Sequence, residues 1–127
     1  MQPQLRIMSI LEVDDVGDIT VVNFTESKIL DEQKIQIMGE QLYGLVNEMN
    51  RRKILLNFIN VKYFPAAALA KLIALERKIK DVGGKLILCN IYPEIYEIFE
   101  ITRINRIFII AKDEQEALVL FSEPVTS

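Results

Sequence analysis

The sequence predicts an α/β fold in which a mixed β-sheet alternates with helices, and two observations carry that prediction. The first lies in residues 53–73. The apolar run 54–59, broken only by Asn57, is too short for an ordinary helix and suits a strand buried on both faces. Pro65 then marks a break, and the strong helix formers Ala66, Ala67, Ala68, Leu69 and Ala70 follow it. A helix N-terminus is therefore expected to leave the end of a central strand. The second observation is that the strand-then-helix alternation recurs three times between residues 54 and 122, which implies parallel pairing through right-handed crossovers.

In chain order, residues 5–13 and 18–24 are apolar-rich runs around Asp14-Asp15-Val16-Gly17, expected as an antiparallel hairpin with a loop of those four residues. Asp31 is an expected N-cap. Ile35, Met38, Leu42, Leu45, Val46 and Met49 then recur every three or four positions, the pattern of an amphipathic helix ending near Asn50. After the strand 54–59, the helix from Pro65 or Ala66 to Lys80 turns Leu69, Leu72, Ile73, Leu75 and Ile79 inward and Lys71, Arg77, Lys78 and Lys80 outward. Asp81-Val82-Gly83-Gly84 ends it, a glycine supplying the positive φ of the C-terminal cap. A strand at 85–89, a helix opened by Pro93 and running through Glu100, and a strand at 107–111 come next. Asp113 and Glu116, three apart, resemble a capping box for a last helix. The whole chain reads as one domain, with a core over 5–121 and a tail over 122–127.

The composition narrows the function. Of 127 residues 50% are apolar and 26% charged, with 5 glycines and 4 prolines, which excludes disordered, collagen-like and disulfide-scaffold classes. A net charge of −3 gives no reason to expect nucleic acid as a partner; the one basic triplet, Arg51-Arg52-Lys53, reads as a solvated helix end. The first residues lack the pattern of a secretory signal, and no apolar run approaches the roughly 20 residues that span a bilayer, so a cytoplasmic protein without direct membrane insertion is expected.

The means for catalysis are poor. Histidine is absent, and the one cysteine, Cys89, sits in an apolar strand where a buried, inert thiol is expected. No serine or threonine occurs between Lys28 and Ile101. Nucleophile–base pairs and His/Cys metal sites therefore cannot be built, and the acids, Glu76 among them, read as scattered over polar helix faces. Gly83-Gly84 lacks the lysine and hydroxyl of a phosphate-binding loop. Asp14-Asp15 could suggest an acidic phosphoacceptor pocket, but the later strand ends at Asn60 with no acid, so the pair reads as turn residues. No enzyme activity and no cofactor are expected.

The run Val61-Lys62-Tyr63-Phe64-Pro65-Ala66-Ala67-Ala68-Leu69-Ala70-Lys71-Leu72, followed by Gly83-Gly84-Lys85-Leu86-Ile87-Leu88-Cys89, resembles a STAS domain, the family of anti-sigma factor antagonists and sulphate-transporter cytoplasmic domains. Leu30-Asp31 and Glu100-Ile101-Thr102-Arg103-Ile104 fall where the family carries similar motifs. The resemblance implies a STAS-like mixed sheet with helices mainly on one face. It also implies a regulatory protein-interaction module of bacterial transcription signalling that binds an anti-sigma factor or a related serine kinase. An alternative it allows is a non-catalytic scaffold subunit of a signalling or transport assembly. In the family the turn before this helix reads aspartate, serine, serine or threonine, glycine, leucine, and the second hydroxyl residue is phosphorylated. Aligned on Leu69, those positions are Pro65, Ala66, Ala67 and Ala68, so the phosphoacceptor equivalent is Ala67, which has no hydroxyl. The implied partner-binding residues are Asp31, Pro65, Ala66, Ala67, Ala68 and Leu69. Asn57 and Pro65 stand where the family has acids, which also argues against the nucleotide binding sometimes attributed to it.

Overall fold

A central strand of leucine and isoleucine, with neighbours on both edges, organises the molecule. In the computed structural model, which describes residues 6–7, 10–29 and 31–122, the strands are β1 (Arg6–Ile7), β2 (Leu11–Val16), β3 (Ile19–Phe24), β4 (Lys53–Asn57), β5 (Lys85–Cys89) and β6 (Ile109–Ala111). They form one sheet in sequence order, β1-β2-β3-β4-β5-β6. The first two pairings are antiparallel; β3 with β4, β4 with β5 and β5 with β6 are parallel. The helices are α1 (Glu32–Asn47), α2 (Ala66–Asp81), α3 (Pro93–Ile101) and α4 (Glu114–Ser122), with a short 3₁₀ turn over Ile104–Arg106.

Alternation along the strands divides the core into two layers. Ile54 and Leu56 of β4 point to the larger layer, where α1, α2 and α3 contribute Met38, Leu42, Leu72, Leu75, Ile95 and Phe99. Leu55 points to the other face and meets Ile87, Cys89, Ala117 and Phe121 under α4. The mixed sheet with helices mainly on one face is thus the observed fold, and α4 is the one described helix that covers the reverse side. α1 and α2 approach closely at Gly39, where an added Cβ would lie 2.9 Å from Cδ of Lys71.

Several boundaries differ from expectation for physical reasons. The hairpin turn is Gly17-Asp18 rather than the four residues 14–17: Gly17 takes φ of 63°, and the tight turn carries pairing out to Val16 opposite Ile19. Asp14 and Asp15 are therefore strand residues, not turn residues. The first expected strand is split between β1 and β2, and residue 5 lies outside the described residues. The triplet at 51–53 follows α1 instead of ending it. Arg51 pairs with Asp15 at 2.8 Å and Lys53, the first residue of β4, pairs with Asp18 at 2.9 Å, so two of its cations answer the acids of the hairpin. The Lys53 contact holds the Asp18 carboxyl below its ordinary value. β4 stops at Asn57, with Ile59 exposed, and β6 begins at Ile109 because Ile107, where the strand was expected to start, still closes the 3₁₀ turn, its N–H donating to the Ile104 carbonyl at 2.9 Å. Of the expected tail, Ser122 ends α4 and residues 123–127 lie outside the described residues.

Both ends of α2 use backbone geometry. Gly83 has φ of 77°, its N–H donates to the Lys80 carbonyl at 3.0 Å, and the Gly84 N–H reaches the Ile79 carbonyl at 2.8 Å, the paired bonds of a Schellman cap. At the start of α4, Asp113 accepts from the Glu116 N–H at 2.9 Å, while Glu116 accepts from the Lys112 N–H rather than that of the capping residue.

Glu76 departs from the expected polar face. It is 6% exposed on α2, beside Ile73 and Ile107, with Lys80 at 3.3 Å from Oε2 and no partner for Oε1. Burial raises its pKa above 4.5, against the opposing pull of Lys80. Because the folded pKa is the higher one, the charged form carries a penalty that is complete above the folded pKa. The penalty fades as pH falls between the folded and unfolded values and vanishes below the latter. Glu76→Gln should therefore melt higher than wild type at pH 7. In thermal melts across pH, the gap should close as pH drops below 4.5.

Candidate functional site: the start of α2

The chain leaves β4 through a turn made by its own side chain. Asn57 Oδ1 accepts the Ile59 N–H at 3.0 Å, and the Val61 N–H closes on the Phe58 carbonyl at 2.9 Å. The next residues are held by a strap from the segment between β3 and α1. The Ser27 carbonyl accepts from the Lys62 and Tyr63 N–H groups at 2.7 and 3.2 Å, and the Ile29 N–H donates to the Tyr63 carbonyl at 3.3 Å. Beneath them Phe24, Phe58 and Phe64 form an aromatic triad with centroids 5.0, 6.0 and 5.2 Å apart, all buried.

Pro65 sits at the N-cap position with φ of −76° and ψ of 165°, and its carbonyl accepts from the N–H groups of Ala68 and Leu69 at 2.9 and 3.1 Å. No side chain caps this helix and its first turn carries no acid. Ala66 and Ala67 are exposed, with first-turn N–H groups that have no intrahelical acceptor. Ala68 and Leu69 are 0% and 4% exposed and belong to the core, where they anchor the helix, while Ala66 and Ala67 are exposed and Pro65 is half-buried. Asp31 caps α1, accepting from the Lys34 N–H at 2.8 Å. Leu30 lies outside the described residues.

An open groove of about 750 Å³ runs from this point between α1 and α2, lined by Glu32, Ile35 and Gln36 on one side and Ala67, Ala70 and Lys71 on the other. Its walls are tied together. Lys71 Nζ donates to Gln36 Oε1 at 3.1 Å, and the Tyr43 hydroxyl donates to the Lys71 carbonyl at 3.2 Å, with Lys78 over the Tyr43 ring at 5.1 Å.

Sequence patterns gave no warning of the strap at 27–29 or of the groove, since the strap and the α1 wall of the groove are separated from α2 by a whole strand and its loops. The one local signal available for the strand ends was the asparagine at the end of β4 and another directly after β5. The chemistry remains that of a surface. Burial, and then the charges of Glu114 and Asp113, push the Cys89 thiol up to about 12 against the opposing Asn90 contact, so it stays protonated and unreactive at neutral pH. Among the described residues no group of acids, cysteine or histidine could hold a metal ion, and no helix is long and apolar enough to cross a membrane.

This architecture is shared. Residues 8–117 match the model of the STAS domain. An anti-sigma-factor antagonist (STAS) domain protein from Planctomyces limnophilus superposes with a TM-score of 0.78 at 22% identity, covering 91% of this chain and 100% of that one. The phosphorylated form of the Bacillus cell fate determinant SpoIIAA gives 0.66 at 17% identity, covering 87% and 97%. In sequence, BtrV of Bordetella bronchiseptica, a candidate anti-sigma factor antagonist, is 27% identical over 74 residues, which are 58% of this chain and 64% of that protein. The family match over residues 8–117, from before β2 into the first turn of α4, settles the family: the chain belongs to the STAS domain proteins and is similar to anti-sigma factor antagonists.

Proposed function

We propose that the chain is a non-catalytic docking module of the anti-sigma factor antagonist type. It binds an anti-sigma factor or related switch kinase through the start of α2 and works in the cytoplasm without being phosphorylated there. The observation that carries this reading is the exposed pair Ala66 and Ala67 on an uncapped helix start, held from below by the aromatic triad and from the side by the strap at Ser27. Small side chains let a partner approach the backbone closely, and a rigid support limits the ordering cost of binding. A methyl group at Ala67 cannot accept a phosphoryl group, so the partner is not released by charge added at that position. The module is then constitutively competent or a decoy.

Ala67→Glu tests the reading. The side chain faces solvent, and a carboxylate in the first helical turn interacts favourably with the helix dipole by about 0.3–1 kcal/mol, so the melting temperature should hold or rise. Affinity for the anti-sigma factor of the same cell, measured by titration calorimetry, should fall about tenfold or more because the interface must desolvate the new charge. Arg77→Glu, on an exposed part of α2 away from its start, should bind as wild type does. Wild-type affinity in Ala67→Glu would move the docking surface elsewhere.

A further inference from the structure

Beyond the C-terminal ends of β4 and β5, one buried carboxamide joins segments from both faces of the sheet. Asn57 is 6% exposed. Its Oδ1 accepts the Ile59 N–H and the Asn90 Nδ2, each at 3.0 Å, and its Nδ2 donates to Glu114 Oε1 at 3.1 Å. The first of these bonds shapes the exit toward α2. The last reaches α4, on the reverse side of the sheet from α1 and α2. Further bonds on the same exit are peripheral by comparison: the Tyr92 hydroxyl donates to the Ile59 carbonyl at 2.8 Å and Asn60 Nδ2 to the Phe24 carbonyl at 3.3 Å, both from side chains nearer solvent.

The chemistry of the pair is selective. Asn57 must accept two N–H groups and donate one, which an amide does and a carboxylate does not. An aspartate would keep both acceptor contacts but would set its charge against the Glu114 carboxylate in a half-buried place, where like charges disfavour each other strongly. Glu114 in turn is oriented by its place in the first turn of α4, next to the capping Asp113.

We infer that Asn57 and Glu114 are a positioning pair, through which α4 holds the 58–65 exit, and with it the exposed start of α2, in one shape from the far side of the sheet. Neither side chain touches the partner in this arrangement; they act through the backbone of Ile59. The consequence for docking rests on the function proposed above, but the coupling itself is measured without any partner.

The experiment is amide hydrogen exchange by NMR on the full chain, comparing Ile59 and its neighbours with Leu55 and Ile87 in the sheet. Glu114→Ala strands the Asn57 amide and should speed exchange at Ile59 by about tenfold, with Leu55 and Ile87 within about twofold of wild type. Glu114→Gln keeps an acceptor and should restore near-wild-type protection. Asn57→Asp should melt lower than wild type at pH 7, because it sets a second carboxylate against that of Glu114. Adding Glu114→Gln to it reverses donor and acceptor, and should recover part of that loss. A general loss of packing would instead accelerate all amides together and ignore the reversal. Unchanged exchange at Ile59 in Glu114→Ala, or equal acceleration at Leu55 and Ile87, overturns the positioning role. If Ile59 loosens while partner affinity is unaltered, the pair stands and the docking site at α2 is rejected.

Discussion

Phe58→Ala should destabilise the protein by about 3–5 kcal/mol, the usual cost of emptying a well-packed aromatic site. Phe58 is 0% exposed and lies between Phe24 at 5.0 Å and Phe64 at 5.2 Å, so its loss leaves a cavity with aromatic walls on two sides. The third ring cannot fill it freely, because Phe64 precedes Pro65 and its backbone is drawn to the Ser27 strap through Tyr63. Urea denaturation followed by circular dichroism gives the size of the effect. Phe121→Ala on the reverse face is the informative comparison: it too removes a largely buried ring, 5% exposed, but not one under the α2 start. The two should lose comparable stability, while the Phe58 variant, which empties the site directly under the exit, loosens residues 58–65 more. A Phe58 variant losing under about 1 kcal/mol would mean that the triad is not packed as described.

Gly84→Ala should cost about 2–4 kcal/mol for a single methyl group, through overpacking and a broken hydrogen bond. The added Cβ would lie 2.4 Å from the Arg52 carbonyl oxygen and 2.7 Å from Cγ1 of Ile79. That carbonyl accepts the Lys85 N–H at 2.7 Å, the contact that brings the start of β5 against β4, and the Gly84 N–H closes the cap of α2. Relief therefore requires the backbone to move at a strand pairing and a helix cap together. Gly17→Ala is the control. It has open space around the added atom, so its penalty is limited to the positive φ of a surface turn, about 1–2 kcal/mol. Thermal melts that rank the two in the opposite order would contradict this account of the β4–β5 start.

Periodicity and end signals determined most of the architecture, because they are local. Leu42, Leu45 and Val46 on one stripe, Pro65 before a run of alanines, Gly83 after Lys80 and Pro93 after an apolar strand each act within a turn or two, and the helices and β5 follow them closely. The buried character of Cys89 and the lack of a hydroxyl at Ala67 were likewise readable from the residues alone. What the tertiary structure decided is what depends on partners distant in sequence. The hairpin register follows from a tight turn at Gly17 that lets Asp14 and Asp15 join a strand, and the basic triplet finds those acids across 36 positions at Arg51 and Asp15. Glu76 is buried and shares a groove with Ile107, a neighbour that helical spacing on α2 could not foresee. The candidate site divides along the same line. Its exposed alanines come from the local sequence of α2, whereas its support comes from Ser27, Phe24, Asn90 and Glu114, which only the folded sheet brings to the end of β4.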